Sequence, residues 1–223
     1  MNDEAPAVKT SGDFLWRLRN IMSFWDQRYD RPDYVFGTEP AAFLPRHLAE
    51  LPQKARVLCV ADGEGRNSVW LAEQGLDVTA FDPSVPALTK AHKLAQARGV
   101  AVDYHQAGIE DWDWDRPFDL IVAIYIQFIG PDARAALFQQ FDRALAPGGR
   151  VMIHGYTPKQ VDYGTGGPGK VENMYTEAML AAAFDGYDII ENRAFEMHVN
   201  EGHGHIGHSA LIDFIAQKPK VAG

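Results

Sequence analysis

The chain has 223 residues, with 21 Lys and Arg against 30 Asp and Glu, so its formal net charge is 21 − 30 = −9. At about 150 residues per domain this length suits one domain, and 46% hydrophobic with 23% charged residues is a globular rather than a disordered composition. The acidic balance disfavours a phosphate backbone or an anionic membrane face, the lone Cys59 excludes an internal disulfide framework, and the acidic start Met1-Asn2-Asp3-Glu4 does not read as a secretory signal.

Those features predict a cytoplasmic protein with neither nucleic acid nor membrane as partner. Residues 1–12 show little periodicity and read as a flexible tail. Leu18, Ile21, Trp25 and Tyr29 then recur at three- and four-residue spacing and define one apolar helical face. Arg31-Pro32-Asp33 breaks that helix. After a Gly37-Thr38-Glu39-Pro40 turn, a second helix carries Phe43, Leu44 and Leu48. Residues 13–52 are thus expected to form a helical cap, and residues 53–218 a single globular unit.

Within that unit strands and helices alternate. Strands are predicted at residues 56–61, 76–81, 100–105, 118–126 and 150–155, and helices at 66–74, 84–98 and 131–145. The fourth strand is apolar on both faces, as an inner parallel strand must be. This alternation means βαβ units, right-handed crossovers and a doubly wound α/β sheet with helices on both faces. A Gly/Pro-rich segment, residues 158–169, is too long for a mere connection, and its glycines suggest a mobile lid. A helix at 176–184 follows, then β-type runs at 187–199 and 209–217. The Gly/His-rich link between those runs has no room for a crossover helix, so they must pair as an antiparallel hairpin.

The strongest local signal is the strand Val57-Leu58-Cys59-Val60, followed by Ala61-Asp62-Gly63-Glu64-Gly65-Arg66-Asn67-Ser68. Glycines between a strand and a helix let backbone approach a ligand and expose helix N-terminal N–H groups. Open α/β sheets bind ligands there, beyond the carboxyl ends of the strands. The next strand ends at Asp82, where one carboxylate can accept from two vicinal ribose hydroxyls. Loop and acid together predict an adenosine-containing ligand.

Val57 to Gly65, Asp82, Phe118-Asp119-Leu120-Ile121 and Pro147-Gly148-Gly149 resemble successive motifs of class I S-adenosylmethionine-dependent methyltransferases. Phe24-Trp25-Asp26-x-x-Tyr29 and Phe36-Gly37-Thr38-Glu39-Pro40 are similar to segments of small-molecule methyltransferases of the tellurite-resistance and thiopurine type. The resemblance implies a Rossmann-like sheet in the order 3-2-1-4-5-7-6, mostly parallel with a C-terminal antiparallel hairpin. It also implies S-adenosylmethionine as cofactor, S-adenosylhomocysteine as product and a small-molecule methyl acceptor. In that division of labour Ala61, Asp62, Gly63 and Gly65, with Asn67 following, wrap the methionine moiety. Asp82 holds the ribose, Pro83, Gly108, Ile109 and Glu110 border the adenine, and Ala123 to Gln127, Tyr125 included, lie near the methyl group. Trp25 and Tyr29 are expected to close over the cofactor. The chain departs from the family pattern at Cys59, where an acid is usual, and at Ala61, the first loop glycine. Asp62 is a candidate to contact the cofactor's ammonium instead.

Methyl transfer needs nucleophile, methyl carbon and sulfur held in line in a dry pocket. A protic acceptor such as an amine or hydroxyl also needs a base; a thiol, selenol or tellurite-like acceptor needs little more than positioning. Gln127 at the end of the fourth strand, His154 at the end of the fifth, and His205 in the histidine-rich link are the catalytic candidates. His198, His203, His205 and His208 lie close in sequence, but without a cysteine or a helical spacing no metal site is assigned. In Glu110-Asp111-Trp112-Asp113-Trp114-Asp115 the indoles are expected to pack inward while the acids face water. The alternatives are a nicotinamide-dependent Rossmann oxidoreductase and a non-catalytic S-adenosylmethionine-binding relative. A monomer and a homodimer are both open.

Overall fold

The computed structural model describes residues 24–220. The expected tail, Leu18 and Ile21 lie outside them. Residues 24–29 are helical, here α1. A short α2 (Phe43–Arg46) and a 3-10 turn (Leu48–Glu50) follow. Phe43 and Leu44 are buried as expected, but Leu48 is exposed, because the tighter 3-10 winding carries it off their stripe.

The remaining elements are β1 (Arg56–Val60), α3 (Arg66–Glu73), β2 (Asp77–Asp82), α4 (Val85–Arg98), β3 (Asp103–Gln106) and β4 (Phe118–Ile124). They continue with α5 (Pro131–Ala144), β5 (Leu145–Tyr156), α6 (Glu177–Ala183), β6 (Asp188–Glu201) and β7 (His205–Gln217). The seven strands form one sheet in the order β3-β2-β1-β4-β5-β7-β6. Pairing is parallel from β3 through β5 and antiparallel at β5–β7 and β6–β7. The expected order and hairpin are therefore present. β5 starts earlier than expected, at Leu145; the Pro147-Gly148-Gly149 segment is taken up as an irregularity between the pairs Phe118↔Leu145 and Leu120↔Arg150.

Strand alternation sorts the side chains into two cores. Leu58, Ile121, Ile153 and Phe214 face a core shared with Leu137, Phe141 and Leu180 of α5 and α6. Val57, Cys59, Val122, Met152 and Ile215 face the opposite core, with Leu71 of α3 and Phe43 and Leu44 of α2. Cys59 is thus a small buried hydrophobe, and burial pushes its thiol pKa well up. Trp112 and Trp114 are buried beside α5 while the flanking acids are exposed, as the alternation predicts. Side-chain caps fix two helix starts: Ser84 Oγ accepts from Ala87 N at 3.4 Å and Thr176 Oγ1 from Met179 N at 3.2 Å. Such caps contribute about 1 kcal/mol each.

β1 lies between β2 and β4, which the chain reaches in opposite directions. The crevice beyond its carboxyl end is therefore the topological switch point of the sheet, where ligands of such folds bind. Residues 158–169, expected to be a mobile lid, are instead fastened to β7. They open with a 3-10 helix (Pro158–Asp162). The fully buried Gln160 accepts from Ala210 N at 2.8 Å and donates to Thr165 Oγ1 at 3.0 Å, and Thr165 Oγ1 in turn donates to His208 O at 2.5 Å.

Candidate functional site

At the switch point the backbone turns sharply three times within five residues. Ala61, Gly63 and Gly65 have φ of 49°, 64° and 90°. Ala61 therefore adopts the left-handed conformation a glycine would take, at a cost of about 1–2 kcal/mol. Gly65 has no room for a side chain: a Cβ there would lie 2.7 Å from Ala91 Cβ and 2.8 Å from Tyr104 Oη. A Cβ on Gly63 would lie 2.9 Å from Tyr29 Oη, so the α1 phenol sits directly over the loop. Trp25 stacks on Tyr29 with ring centroids 5.4 Å apart. α1 thus packs its two rings over the glycine loop, where Trp25 and Tyr29 were expected to cover the cofactor.

The carboxylates under that cover are desolvated. Asp82 Oδ2 accepts from Gly63 N and Oδ1 from Ser84 N, both at 2.9 Å, and burial raises its pKa to about 6. Two of about four acceptor positions are used, which leaves capacity for two hydroxyls. Asp26 of α1 lies near enough to raise that pKa further, and its own Oδ1 is buried without a partner. Asp62 is placed differently from expectation. Its carboxylate turns back to Ser68 Oγ at 2.5 Å and Ser68 N at 3.3 Å, fixing the start of α3, and burial raises its pKa to about 7. A carboxylate with spare acceptors, a second unpaired one and closely approachable backbone fit a cationic, ribose-bearing ligand.

The other polar side chains of the loop hold the cap. Glu64 accepts from Val35 N at 2.8 Å and from Lys90 Nζ at 2.7 Å, while Lys90 Nζ also reaches Asp33 O. Arg66 pairs with Glu201 at 2.8 Å, and Glu201 accepts from Ala42 N. Asn67, expected at the cofactor, accepts instead from Ala41 N at 2.9 Å through Oδ1. Residues 33–42 are thereby tied to the loop, to α4 and to the hairpin tip.

A second constellation lies across β4, β5 and β7. The ladder pairs His154 with both Ile124 and Asp213. This brings His154 Nδ1 to 2.6 Å from Asp213 Oδ1, and His154 Nε2 lies 3.1 Å from Tyr125 Oη. Asp213 is fully buried and also accepts from Arg46 Nη2 at 2.8 Å and meets His47 Nε2 at 3.1 Å. Its pKa is lowered: the hydrogen bonds from His154, Arg46 and His47 outweigh the opposing effect of burial. An anionic Asp213 can only accept, so Nδ1 of His154 carries the proton. In the neutral ring Nε2 then accepts from the Tyr125 hydroxyl. Tyr125 has φ of 57°, an uncommon conformation for an aromatic residue, which turns it off the end of β4. His205 stacks on Tyr125 at 4.2 Å and on Phe36 at 4.6 Å, and its Nδ1 lies 2.5 Å from Tyr156 Oη. Burial lowers the His205 pKa to about 3, so its ring is neutral near pH 7.

Other expectations are corrected. Gln127 does not offer its amide outward: Oε1 accepts from Tyr156 N at 2.7 Å and Nε2 donates to Tyr156 O at 2.8 Å. Ala123 is buried in the core against α5, because strand alternation turns it from the crevice. Pro83 is half-buried next to Asp82. Gly108, Ile109 and Glu110 follow β3; Ile109 O accepts from Trp114 Nε1 at 2.9 Å, and Glu110 is exposed. Of the clustered histidines only His205 is buried; His198 and His208 are cross-strand partners. The three-ligand grouping found among the described residues is His47, Glu191 and Asp213. There each ring nitrogen of His47 faces a different carboxylate, at 3.4 and 3.1 Å. Asp213, Phe36 and Glu201 were not singled out as site residues from sequence. A lone acid within Ala210–Ala216, otherwise apolar, is the signal that could have found Asp213.

Residues 57–149 match the family described as "Methyltransferase domain". The "Ubiquinone biosynthesis O-methyltransferase" of Xylella fastidiosa (strain M23) is 40% identical over 102 residues, covering 44% of this chain and 41% of that protein. The "tRNA 5-carboxymethoxyuridine methyltransferase" of Escherichia coli (strain K12) is 33% identical over 118 residues, covering 51% and 45%. The chain thus matches less than half the length of these curated relatives. Among solved structures, a Burkholderia thailandensis 1,6-didemethyltoxoflavin-N1-methyltransferase with bound 1,6-didemethyltoxoflavin and S-adenosylhomocysteine superposes with TM-score 0.67 at 23% identity, covering 97% and 93% of the two chains. The chain has the class I S-adenosylmethionine-dependent methyltransferase fold.

Proposed function

We propose that this chain, built on the class I methyltransferase fold, is an S-adenosylmethionine-dependent methyltransferase acting on a small-molecule acceptor. The observation that carries the reading is the switch-point crevice: three left-handed backbone positions, the strand-end carboxylate of Asp82 and the α1 ring pair above them. When bound there, S-adenosylmethionine supplies an electrophilic methyl group on a sulfonium. Asp82 would take the ribose hydroxyls, and the backbone at Ala61 to Gly65 with the acids around it would receive the methionine end. Tyr29 and Trp25 exclude water from the loop. Held in line, a thiol or selenol acceptor needs no more from the protein.

For a protic acceptor, Tyr125 is the group that meets the acceptor's proton. Its hydroxyl receives that proton while passing its own to His154 Nε2, and Asp213 stabilises the imidazolium so formed. This assigns His154 a role behind Tyr125 rather than against the acceptor. Of the cap expected at 13–52, the described residues 24–52 cover the crevice, and 53–218 act as the catalytic unit. No helix among the described residues is long and apolar enough to cross a membrane. The acidic composition and single cysteine support a cytoplasmic setting, in which a monomer or homodimer would serve.

Calorimetric titration with S-adenosylhomocysteine, and separately with NADH, tests the cofactor. Micromolar binding of the former alone is expected, and binding of NADH alone would replace methyl transfer by hydride transfer. A screen of thiols, phenols and amines with labelled cofactor then tests transfer; cofactor binding with no turnover across the screen would favour the non-catalytic relative.

A further inference from the structure

Between α1 and the hairpin tip lies a surface cleft of about 490 Å³, lined among others by Arg28, Arg31, Asp33, Val35 and His203. Its two arginines differ. Arg31 is ion-paired with Asp33 at 2.7 Å. Arg28 has neither a carboxylate nor a carbonyl partner among the described residues, and its Nε is buried without an acceptor. Every other arginine there has one: Arg46 on Asp213, Arg56 on Asp119, Arg66 on Glu201, Arg98 on Glu39, Arg116 on Asp103, Arg134 on Glu172 O, Arg143 on Asp115, Arg150 on Glu50 and Arg193 on Glu191.

What holds Arg28 is aromatic. Its guanidinium carbon lies 5.7 Å from the Trp25 ring centroid and 5.6 Å from that of Phe36. Those two rings lead to the two halves of the site. Trp25 stacks on Tyr29, which covers the glycine loop, and Phe36 stacks on His205, which stacks on Tyr125. The charge therefore stands at the rim of the crevice, next to a wall of aromatic faces. A buried N–H without an acceptor costs about 1–3 kcal/mol, and more for a charged group. With Nε buried, the terminal Nη groups, which have no partner among the described residues, are the edge that can give a planar anion two parallel hydrogen bonds.

From this we infer that Arg28 is an anion subsite for the acceptor, and that the acceptor is a planar, aromatic small molecule bearing a carboxylate or an equivalent anionic group. The inference rests on the methyltransferase reading for the word acceptor, while the subsite itself requires only that the cleft bind such an anion. The acidic chain makes the feature selective: with a net charge of −9, an anion has few favourable places to bind.

The test uses the full chain saturated with S-adenosylhomocysteine, with 2-naphthoate and its neutral isostere 2-naphthamide as probes, binding being read calorimetrically. The native protein is expected to bind the carboxylate at least tenfold more tightly than the amide. Arg28→Met should bring the two to equal affinity, whereas Arg31→Met should preserve the preference. Arg28→Glu should favour the cationic 2-naphthamidine instead, a gain that a misfolded variant could not show. The inference is overturned if the native protein shows no preference for the anion, if Arg28→Met keeps it, or if Arg31→Met abolishes it equally, which would mean a diffuse potential. Failure of the native protein to bind S-adenosylhomocysteine would instead count against the methyltransferase reading; the naphthoate comparison is then run without it.

Discussion

The two halves of the crevice are built on different principles. On the side proposed for the cofactor, at the ends of β1 and β2, the geometry is local: one loop of consecutive residues sets three backbone turns, and a single strand-end carboxylate faces them. On the side proposed for the acceptor nothing is consecutive. Phe36, Tyr125, His154, His205 and Asp213 come from the cap, the residue after β4, β5, and the start and interior of β7, and they meet through strand register and ring stacking. A local loop tolerates few substitutions but suits any acceptor. A site assembled from distant strands and a cap can change its acceptor without disturbing the cofactor. One fold can thus keep one cofactor while its acceptors vary.

The largest expected effect separates the halves. Tyr125→Phe should lower transfer to a phenol or amine acceptor by about 10²–10⁴-fold, the usual worth of general acid–base help, and leave S-adenosylhomocysteine affinity within about twofold. An equal loss with a thiol acceptor would mean that Tyr125 positions rather than accepts a proton. On the cofactor side, Gly65→Val meets Ala91 and Tyr104 at a φ of 90°. It should cost about 3 kcal/mol or more in urea unfolding, the sum of overpacking and backbone strain.

Asp82→Asn should weaken S-adenosylhomocysteine about 10–150-fold in a calorimetric titration, since charged hydrogen bonds contribute about 1.5–3 kcal/mol. The same site should show proton linkage. With folded pKa values of about 6 for Asp82 and about 7 for Asp62, both above the usual carboxylate value near 4, these groups hold protons that the unfolded chain has released. Their contribution therefore favours the folded state most below pH 4 and diminishes as pH rises toward 7. Asp213 runs the other way: its pKa is lowered, so its stabilisation is full above pH 4 and is lost as pH falls below it. Cofactor affinity should rise from pH 5.5 to 7.5 as the crevice acids ionise, and buffers of different ionisation enthalpy should reveal proton release on binding. Flat affinity over that range would remove Asp82 from the contact.

The smallest effect concerns the seam between the halves. Asn67→Ala removes one hydrogen bond to Ala41 N. A loss of about 1 kcal/mol in stability is expected, with limited proteolysis reporting release of residues 33–42 before the sheet unfolds. No change in cleavage there would mean that the Lys90–Glu64 and Arg66–Glu201 pairs suffice.

Much of this was legible in the chain itself. Alternating strands and helices, the glycine loop, Asp82 and the terminal antiparallel pair all follow from periodicities and turn residues that act within a few positions, so they can be read without the fold. The direction of a polar side chain cannot be read in this way. Asp62, Asn67 and Gln127 looked like ligands from their places in the motifs, yet each is bonded to protein, because a buried carboxylate or amide takes the nearest donor the packing brings. Residues 158–169 looked mobile from their glycines, yet Gln160 fastens them to β7. The His154–Asp213 pair was invisible for the opposite reason. Fifty-nine residues separate its members, and only the antiparallel register of β5 on β7 sets them side by side. The sequence by itself determined the fold class and the glycine-loop crevice, because their signals are short-range. The tertiary structure alone decided the constellation of Tyr125, His154, His205 and Asp213, because hydrogen bonds, stacking and burial there join residues that only the folded sheet and its cap bring together.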